Sequence, residues 1–409
     1  MNIGSFLFYP QIFSGKPERY SPLLYHPKTI VYMKRKNYSK KRKTTTFQLF
    51  YVTVLLLFPF MHGIAQTDTL TLLFAGDLMQ HQGQIDAARQ TDGTYDYSEC
   101  FAFVQKEISS ADIAVGNLET TLGGAPYSGY PLFCAPDAYL SAIKKAGFDI
   151  MLTANNHCLD KGQKGLERTI RLLDSLQIYH TGTYRDSLER QRRCPLVIDR
   201  NGFRIVLLNY TYGTNGISPT PPNMVNYINR KQMEADIFEA KQCKPDLIIA
   251  CMHWDTEYRS LPGESTKQLA DWLFQKGVDY IIGGHPHVIQ PIELHQENNT
   301  QEVSNQRLLA YSLGNFISNM SANNTDGGIM LKICLTKQDG QIHITDCGYT
   351  FVWTSRPALN GKKQYILYPS SHDRRLMNQN ETIRMERYLK NSRELYRQHT
   401  KNIDEYMIE

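Results

Sequence analysis

The chain has 409 residues, 41% hydrophobic and 21% charged, enough for a sizeable buried core and without the bias of a disordered, collagenous or coiled-coil chain. Its formal charge of +5 is concentrated at one end: residues 1–66 hold ten Lys or Arg against one acid, Glu18, so residues 67–409 carry 35 basic and 39 acidic side chains, a net −4. That balance gives no footing for nucleic-acid binding.

In chain order, the basic end comes first and reads as an export signal. Lys34–Lys43 is cationic, Phe47–Met61 is apolar, and Gly63-Ile64-Ala65-Gln66 offers small residues near a cut. The apolar run is shorter than the ~20 residues of a membrane-spanning helix. A cleaved signal is expected, with an uncleaved anchor as the alternative, and the destination is the periplasm or the outer face of the inner membrane. No Cys follows the run to take a lipid. Because the basic run begins only at Lys34, Met33 is the expected start, and residues 1–66 are set apart from a domain over 67–355.

From Thr69 short apolar runs alternate with helical segments. Strands are predicted over 70–75, 113–115, 149–152, 203–209, 246–252 and 279–282. Helices are predicted over 98–109, 166–176 and 264–276, the second with Leu166, Ile170, Leu173 and Leu176 near helical spacing. Such alternation implies an α/β domain with parallel pairing in its first half. Later runs over 308–313, 328–335 and 342–352 follow one another without helices and imply antiparallel pairing. Residues 212–226, rich in Pro, Asn and Thr, read as a surface loop beside the site. Residues 356–409 read as a polar, partly helical, peripheral tail. The eight Cys form no CxxC or zinc-ribbon spacing, and Cys251 falls in an apolar run as a buried thiol.

The informative feature is where polar groups fall. Five apolar runs end abruptly in acids, amides or imidazoles: at Gly76-Asp77, at Asn117-Leu118-Glu119, at Asn155-Asn156-His157 with Asp160 beyond, at His253-Trp254-Asp255, and at His285-Pro286-His287. Ligands bind at the carboxyl ends of strands in open α/β sheets, so these groups converge on one crevice. Carboxylate, amide oxygen and neutral imidazole suit divalent Mn, Fe or Zn, and one or two such ions polarise a phosphoryl oxygen. Each element also has an ordinary structural reading. Asp77 can cap a turn, Glu119 can sit beside a helix cap, and the paired Asn can be loop chemistry. His253 can be a satisfied buried histidine. Two His flanking a Pro after Gly-Gly favour ligation, and the conjunction of all five favours a site.

Six ordered motifs, Gly76–Met79, Gly116–Glu119, Ala154–Asp160, His253–Tyr258, Gly284–Gln290 and Tyr311–Phe316, resemble those of the CapA family of capsule and poly-γ-glutamate synthesis proteins, related to the calcineurin-like phosphoesterases. The resemblance spans about Leu70 to Phe316 and the strands after it. It implies a four-layer αββα sandwich of the metallo-dependent phosphatase type. It implies Asp77 and His287 on one metal, Asn156, His253 and His285 on the second, and Glu119 where relatives use a bridging Asp. His157 is implied as general acid, with Asp160 orienting it or holding its loop. Asn155, Glu257, Tyr258, Gln290 and Asn315 are implied around the site or its substrate.

Two positions depart from the pattern. Met79 stands where phosphoesterases have His, and a thioether is a poor ligand for a hard ion, so the first metal is weak, absent or helped by His81. Asp255 stands where Gly is usual, as a partner for the His253 ring or as surface variation. The function implied is a metal-dependent hydrolase or transferase on an envelope polymer or its precursor. The alternatives are a non-catalytic, metal-binding assembly factor beside a membrane synthase, and a periplasmic phosphoesterase or nucleotidase. The last lacks room for a separate nucleotide-binding domain between Phe316 and Glu409.

Overall fold

Runs rich in Val, Ile and Leu, interrupted by Gly and Asp, become short strands joined by helices. The computed structural model describes residues 67–296 and 306–408; the expected signal and start at Met33 lie outside them. β1 (Asp68–Leu78), β2 (Ile113–Leu118), β3 (Ile150–Leu152) and β4 (Tyr179–Thr181) pair in parallel. β5 (Thr183–Tyr184) and β8 (Met224–Val225) form a small separate pair. β6 (Leu196–Arg200), β7 (Phe203–Thr211), β9 (Leu247–His253), β10 (Tyr280–Gly284), β11 (Ile292–Gln296) and β12 (Gln306–Ala310) build a second sheet, in the order β11-β12-β10-β9-β7-β6. The chain then returns to the first sheet through β13 (Asn315–Ile317), β14 (Gly327–Gln338), β15 (Gln341–Ser355), β16 (Ile366–Pro369) and β17 (Asp404–Glu405). That sheet runs β16-β15-β14-β1-β2-β3-β4, with β13 on β1 and β17 on β15.

Strand alternation sorts the side chains into layers. Leu72, Phe74 and Val115 of the first sheet meet Leu207, Ile249 and Ile282 of the second. The opposite face of the first sheet, with Leu73, Ala114 and Met151, packs on Tyr139, Ile143 and Leu173 of helices Asp137–Ala146 and Gly162–Ser175. The opposite face of the second sheet, with Val206, Leu208 and Ile248, packs on Met233, Ile237 and Leu273 of helices Arg230–Gln242 and Glu264–Gln275. The order helix, sheet, sheet, helix is the expected αββα sandwich. The first four strands are parallel and β14, β15 and β16 antiparallel, again as expected.

An Asp stands immediately before four of the parallel strands and accepts a backbone N–H from the strand beside it. Asp112 takes Thr71 (2.8 Å), Asp149 takes Ala114 (2.9 Å), Asp246 takes Arg204 (2.7 Å) and Asp279 takes Ile248 (2.7 Å). These bonds tie down the amino-terminal ends of both sheets and leave the carboxyl ends to the site.

Helices Asp137–Ala146 and Arg230–Gln242 and the edge strands β4 and β6 were not among the predicted elements, and two predicted helical segments differ from expectation. The helix predicted over 98–109 forms only at Gln105–Ser110. Before it, Asp96 accepts the Ser98 N–H at 2.8 Å, a side-chain bond that competes with helix formation. The C-terminal helix, Gln379–His399, exists but is not peripheral. Met385, Tyr388, Leu389 and Tyr396 enter the core between the sheets, against Tyr349, Phe351 and Trp353. The described residues fall in one compact unit.

Candidate metal centre

Both sheets deliver their polar strand ends to the same side. Asp77 lies near the end of β1, Glu119 just after β2, Asn156 and His157 after β3, His253 at the end of β9, and His285 and His287 after β10, all buried. Small residues allow this convergence. A Cβ on Gly76 would lie 2.0 Å from the Gly314 carbonyl oxygen, and one on Gly283 would lie 2.0 Å from that of Tyr311.

The ligand-type atoms fall into two overlapping groups. Asp77, Glu119 and His253 each offer an atom within 4.8 Å of the others, and so do Glu119, His285 and His287. Glu119 belongs to both. Its Oε1 lies 3.7 Å from His253 Nε2 and 3.8 Å from His287 Nε2, and it has no hydrogen-bond partner among the described residues. His285 Nδ1 is likewise buried and unpartnered. Burial first, then the Asp77 carboxylate, holds the Glu119 pKa well above its ordinary 4.5. Burial pushes His253 well below 6.5 and His285 to about 3, which keeps both imidazoles in the neutral form that ligates. Stranded acceptors and adjacent carboxylates are costly when buried. A divalent cation relieves both, so the residues fit the metal that the motifs imply.

The histidine turn is strained. His285 has φ 97° and His287 φ 58°, a left-handed region that costs about 1–3 kcal/mol for such residues and clusters at functional sites. Tyr258 N–H to the Pro286 carbonyl (2.8 Å) and Leu313 N–H to the Gly283 carbonyl (3.0 Å) hold it.

Amides and carboxylates lie against the imidazole rings. Asn315 Oδ1 sits 3.0 Å from His287 Nδ1 and its Nδ2 donates to the Thr325 carbonyl at 2.8 Å. Asn156 Oδ1 is 2.8 Å from His253 Nε2. Asp160 Oδ2 lies 2.8 Å from His157 Nδ1 and also accepts the Phe133 N–H at 2.6 Å, so one carboxylate both orients the ring and joins two loops. Asn155 braces: it accepts the His157 N–H (3.2 Å) and donates to the Leu118 carbonyl (2.8 Å).

Asp255 and His81 stand apart from their suggested roles. Asp255 accepts the N–H groups of Thr256 (2.8 Å) and Gly263 (3.0 Å) and supports its own loop rather than the His253 ring. Gln290 joins that brace, donating to the Arg259 carbonyl at 2.9 Å. His81 is in neither ligand group; its Nδ1 accepts the Asn319 N–H at 3.3 Å and lies 3.3 Å from Gln84 Oε1. Glu257 stays close enough to raise the proton affinity of Glu119. Tyr258 is half exposed, its ring 6.3 Å from that of His287.

Three residues of the site were given no role from the sequence, although Asn117 stands in one of its polar strand ends. Asn117 donates to Asp77 Oδ1 at 2.8 Å and reaches Glu119 Oε2 at 3.4 Å, tying the two carboxylates. Tyr212, half exposed, lays its ring 4.4 Å from that of His285. Asn215 contacts Asn156 at 3.3 Å and His157 Nδ1 at 3.5 Å. The loop reading of 212–226 was the only signal for the last two.

The family described as bacterial capsule synthesis protein PGA_cap matches residues 71–320. The chain is 24% identical over 270 residues to the capsule biosynthesis protein CapA of Bacillus anthracis, covering 62% of this chain and 60% of that protein. It is 25% identical over 352 residues to the PGA biosynthesis protein CapA of Bacillus subtilis (strain 168), covering 79% of this chain and 85% of that one. Among solved structures, the calcineurin-like phosphoesterase YfkN of Bacillus subtilis aligns with a TM-score of 0.39 at 14% identity, over 81% of this chain and 100% of that one.

Proposed function

The chain belongs to the bacterial capsule synthesis protein family PGA_cap, and from that premise we propose that it is an exported, metal-dependent hydrolase or transferase acting on an envelope polymer, a capsule or poly-γ-glutamate strand or its precursor. The observation that carries this is Glu119: a fully buried carboxylate oxygen without a hydrogen-bond partner among the described residues, shared by two groups of ligand-type side chains.

Asp77, Glu119, Asn156, His253, His285 and His287 are the proposed ligands of one or two Mn, Fe or Zn ions. Such ions supply Lewis acidity to a phosphoryl or acyl oxygen. The chain supplies the rest. Asn117 keeps Asp77 and Glu119 side by side. Asp160 on His157 Nδ1 leaves Nε2 to carry the proton that a leaving oxygen takes. Tyr212 and Tyr258 flank the histidine turn, where substrate enters.

Elemental analysis and turnover on purified protein test the reading together. Phosphomonoester, phosphodiester and γ-glutamyl substrates are assayed with added Mn. His157→Ala is expected to keep metal and lose turnover; His285→Ala is expected to lose both. Metal without turnover on any substrate moves the reading to an assembly factor beside a membrane synthase. Failure to take up metal after reconstitution ends it.

A further inference from the structure

A cleft of about 720 Å³ opens away from the metal centre. Its walls include residues of β4 and β6, each the last strand of its sheet. Asp149 and Tyr179, at the beginnings of β3 and β4, line it, whereas Asn156 and His157 follow the carboxyl end of β3.

Its charge is lopsided. Lys144, Arg192, Arg193 and Arg200 face two carboxylates, Asp149 and Asp174. Both acids are already engaged. Asp149 accepts the Ala114 N–H. Asp174 is held by Arg193 at 2.8 Å, His180 at 3.3 Å and Arg185 at 3.6 Å. Lys144, Arg192 and Arg200 close no salt bridge among the described residues, while His180, on the cleft wall, is 2% exposed with its Nδ1 unpartnered there.

We propose that this cleft binds an anionic polyamide chain at a site separate from the metal centre. The last strand of a sheet keeps one row of backbone N–H and C=O groups without a strand partner, and an extended chain of amides pairs with such a row. Arginine forks and a lysine take the carboxylates that the same chain carries. The volume suits a few residues of such a chain. In a domain of net charge −4, a local excess of cations selects for anions. The choice of a glutamyl chain rests on the function proposed above; the preference for anion plus amide comes from the cleft.

The test titrates a short poly-γ-glutamate oligomer into the full chain, with and without metal, beside Lys144→Gln/Arg192→Gln/Arg200→Gln. The oligomer is expected to bind the metal-free chain, in which the metal centre takes no part. The triple variant should bind it about tenfold more weakly, with unchanged melting temperature and metal content. An alginate oligomer of equal charge, which has carboxylates but no amides, should bind more weakly than the glutamyl one. Unchanged affinity in the variant, absent binding to the parent, or equal affinity for alginate overturns the proposal. Loss of turnover with cleft binding intact counts against the metal reading alone. Absent cleft binding in a metal-loaded, active protein counts against the cleft alone.

Discussion

His287 shows how one proposed ligand is prepared. Asn315 can present its oxygen to the ring only because its amide nitrogen is spent on the Thr325 carbonyl. His287 Nδ1 therefore carries the proton and Nε2 turns its lone pair toward Glu119. Partners of this kind are worth about 10–100-fold in metal affinity. Asn315→Ala is expected to weaken metal binding by that factor while the protein stays folded, as read by competition with a chelating dye and by circular dichroism. Equal affinity would show that packing alone orients the ring. Much of this shell was legible in the sequence, because an apolar run that stops at an acid or imidazole is conspicuous. Asn117 was not: a single amide inside a strand end looks like punctuation until Asp77 and Glu119 are seen on either side of it. Asp255 was left open between a partner for the His253 ring and surface variation, being next to His253 in sequence, and its carboxylate turns to the Gly263 amide.

At the scale of elements, strands such as β1, β7, β9 and β10 were readable because each is an apolar run with a sharp end, whereas β4, only Tyr-His-Thr, and β6 at the sheet edges were not read. What could not be read is how their beginnings are tied. The Asp before each of four parallel strands looks like loop polarity, yet each takes an amide from the neighbouring strand. Asp279 is the most perturbed, raised by burial from 3.8 to about 6, against the opposing bond from Ile248 N–H. A carboxyl whose folded pKa is raised contributes stability that is full below about pH 3.8 and lost as pH rises through about 6. The gap, at about 1.4 kcal/mol per unit, comes to ~3 kcal/mol. Asp279→Asn keeps an acceptor for the Ile248 N–H and removes the charge. It should be more stable than the parent at pH 7, with the difference shrinking toward pH 4 in urea melts; a constant difference across that range would refute the titration. Gly283→Ala belongs to the same scale. Its methyl would meet the Tyr311 carbonyl and the Trp254 ring nitrogen, so β10 must shift. Its melting midpoint should fall by the equivalent of about 1–3 kcal/mol.

On the scale of the whole molecule, the C-terminal helix decides whether the sandwich stands without the residues after Asn378. It was read as peripheral because charged and amide side chains dominate Gln379–His399. Its apolar stripe is carried by Met385, Tyr388, Leu389 and Tyr396, at helical spacing, with Leu395 packed beside them. Those side chains enter the space between the sheets; one reaches the start of β14 and another the loop that follows the histidine turn. Tyr388 Oη donates to the Gly328 carbonyl (3.2 Å) and Tyr396 Oη to the Gln290 carbonyl (3.0 Å), three residues past His287. Tyr396→Phe keeps the ring against Tyr349 and Phe351 and forfeits only that bond, about 1 kcal/mol. Tyr396→Ala also empties a packed position, at about 3–5 kcal/mol. A chain ending at Asn378 loses both tyrosines with Met385 and Leu389, a sum comparable to the whole 5–15 kcal/mol that holds an ordinary domain folded. It should therefore fail to melt cooperatively and should take up no metal, even though every proposed ligand is present. Calorimetry on the three forms orders them, and a truncated chain that melts like the parent would mean that the sandwich is complete at β16 and that the metal centre owes nothing to the helix beneath it.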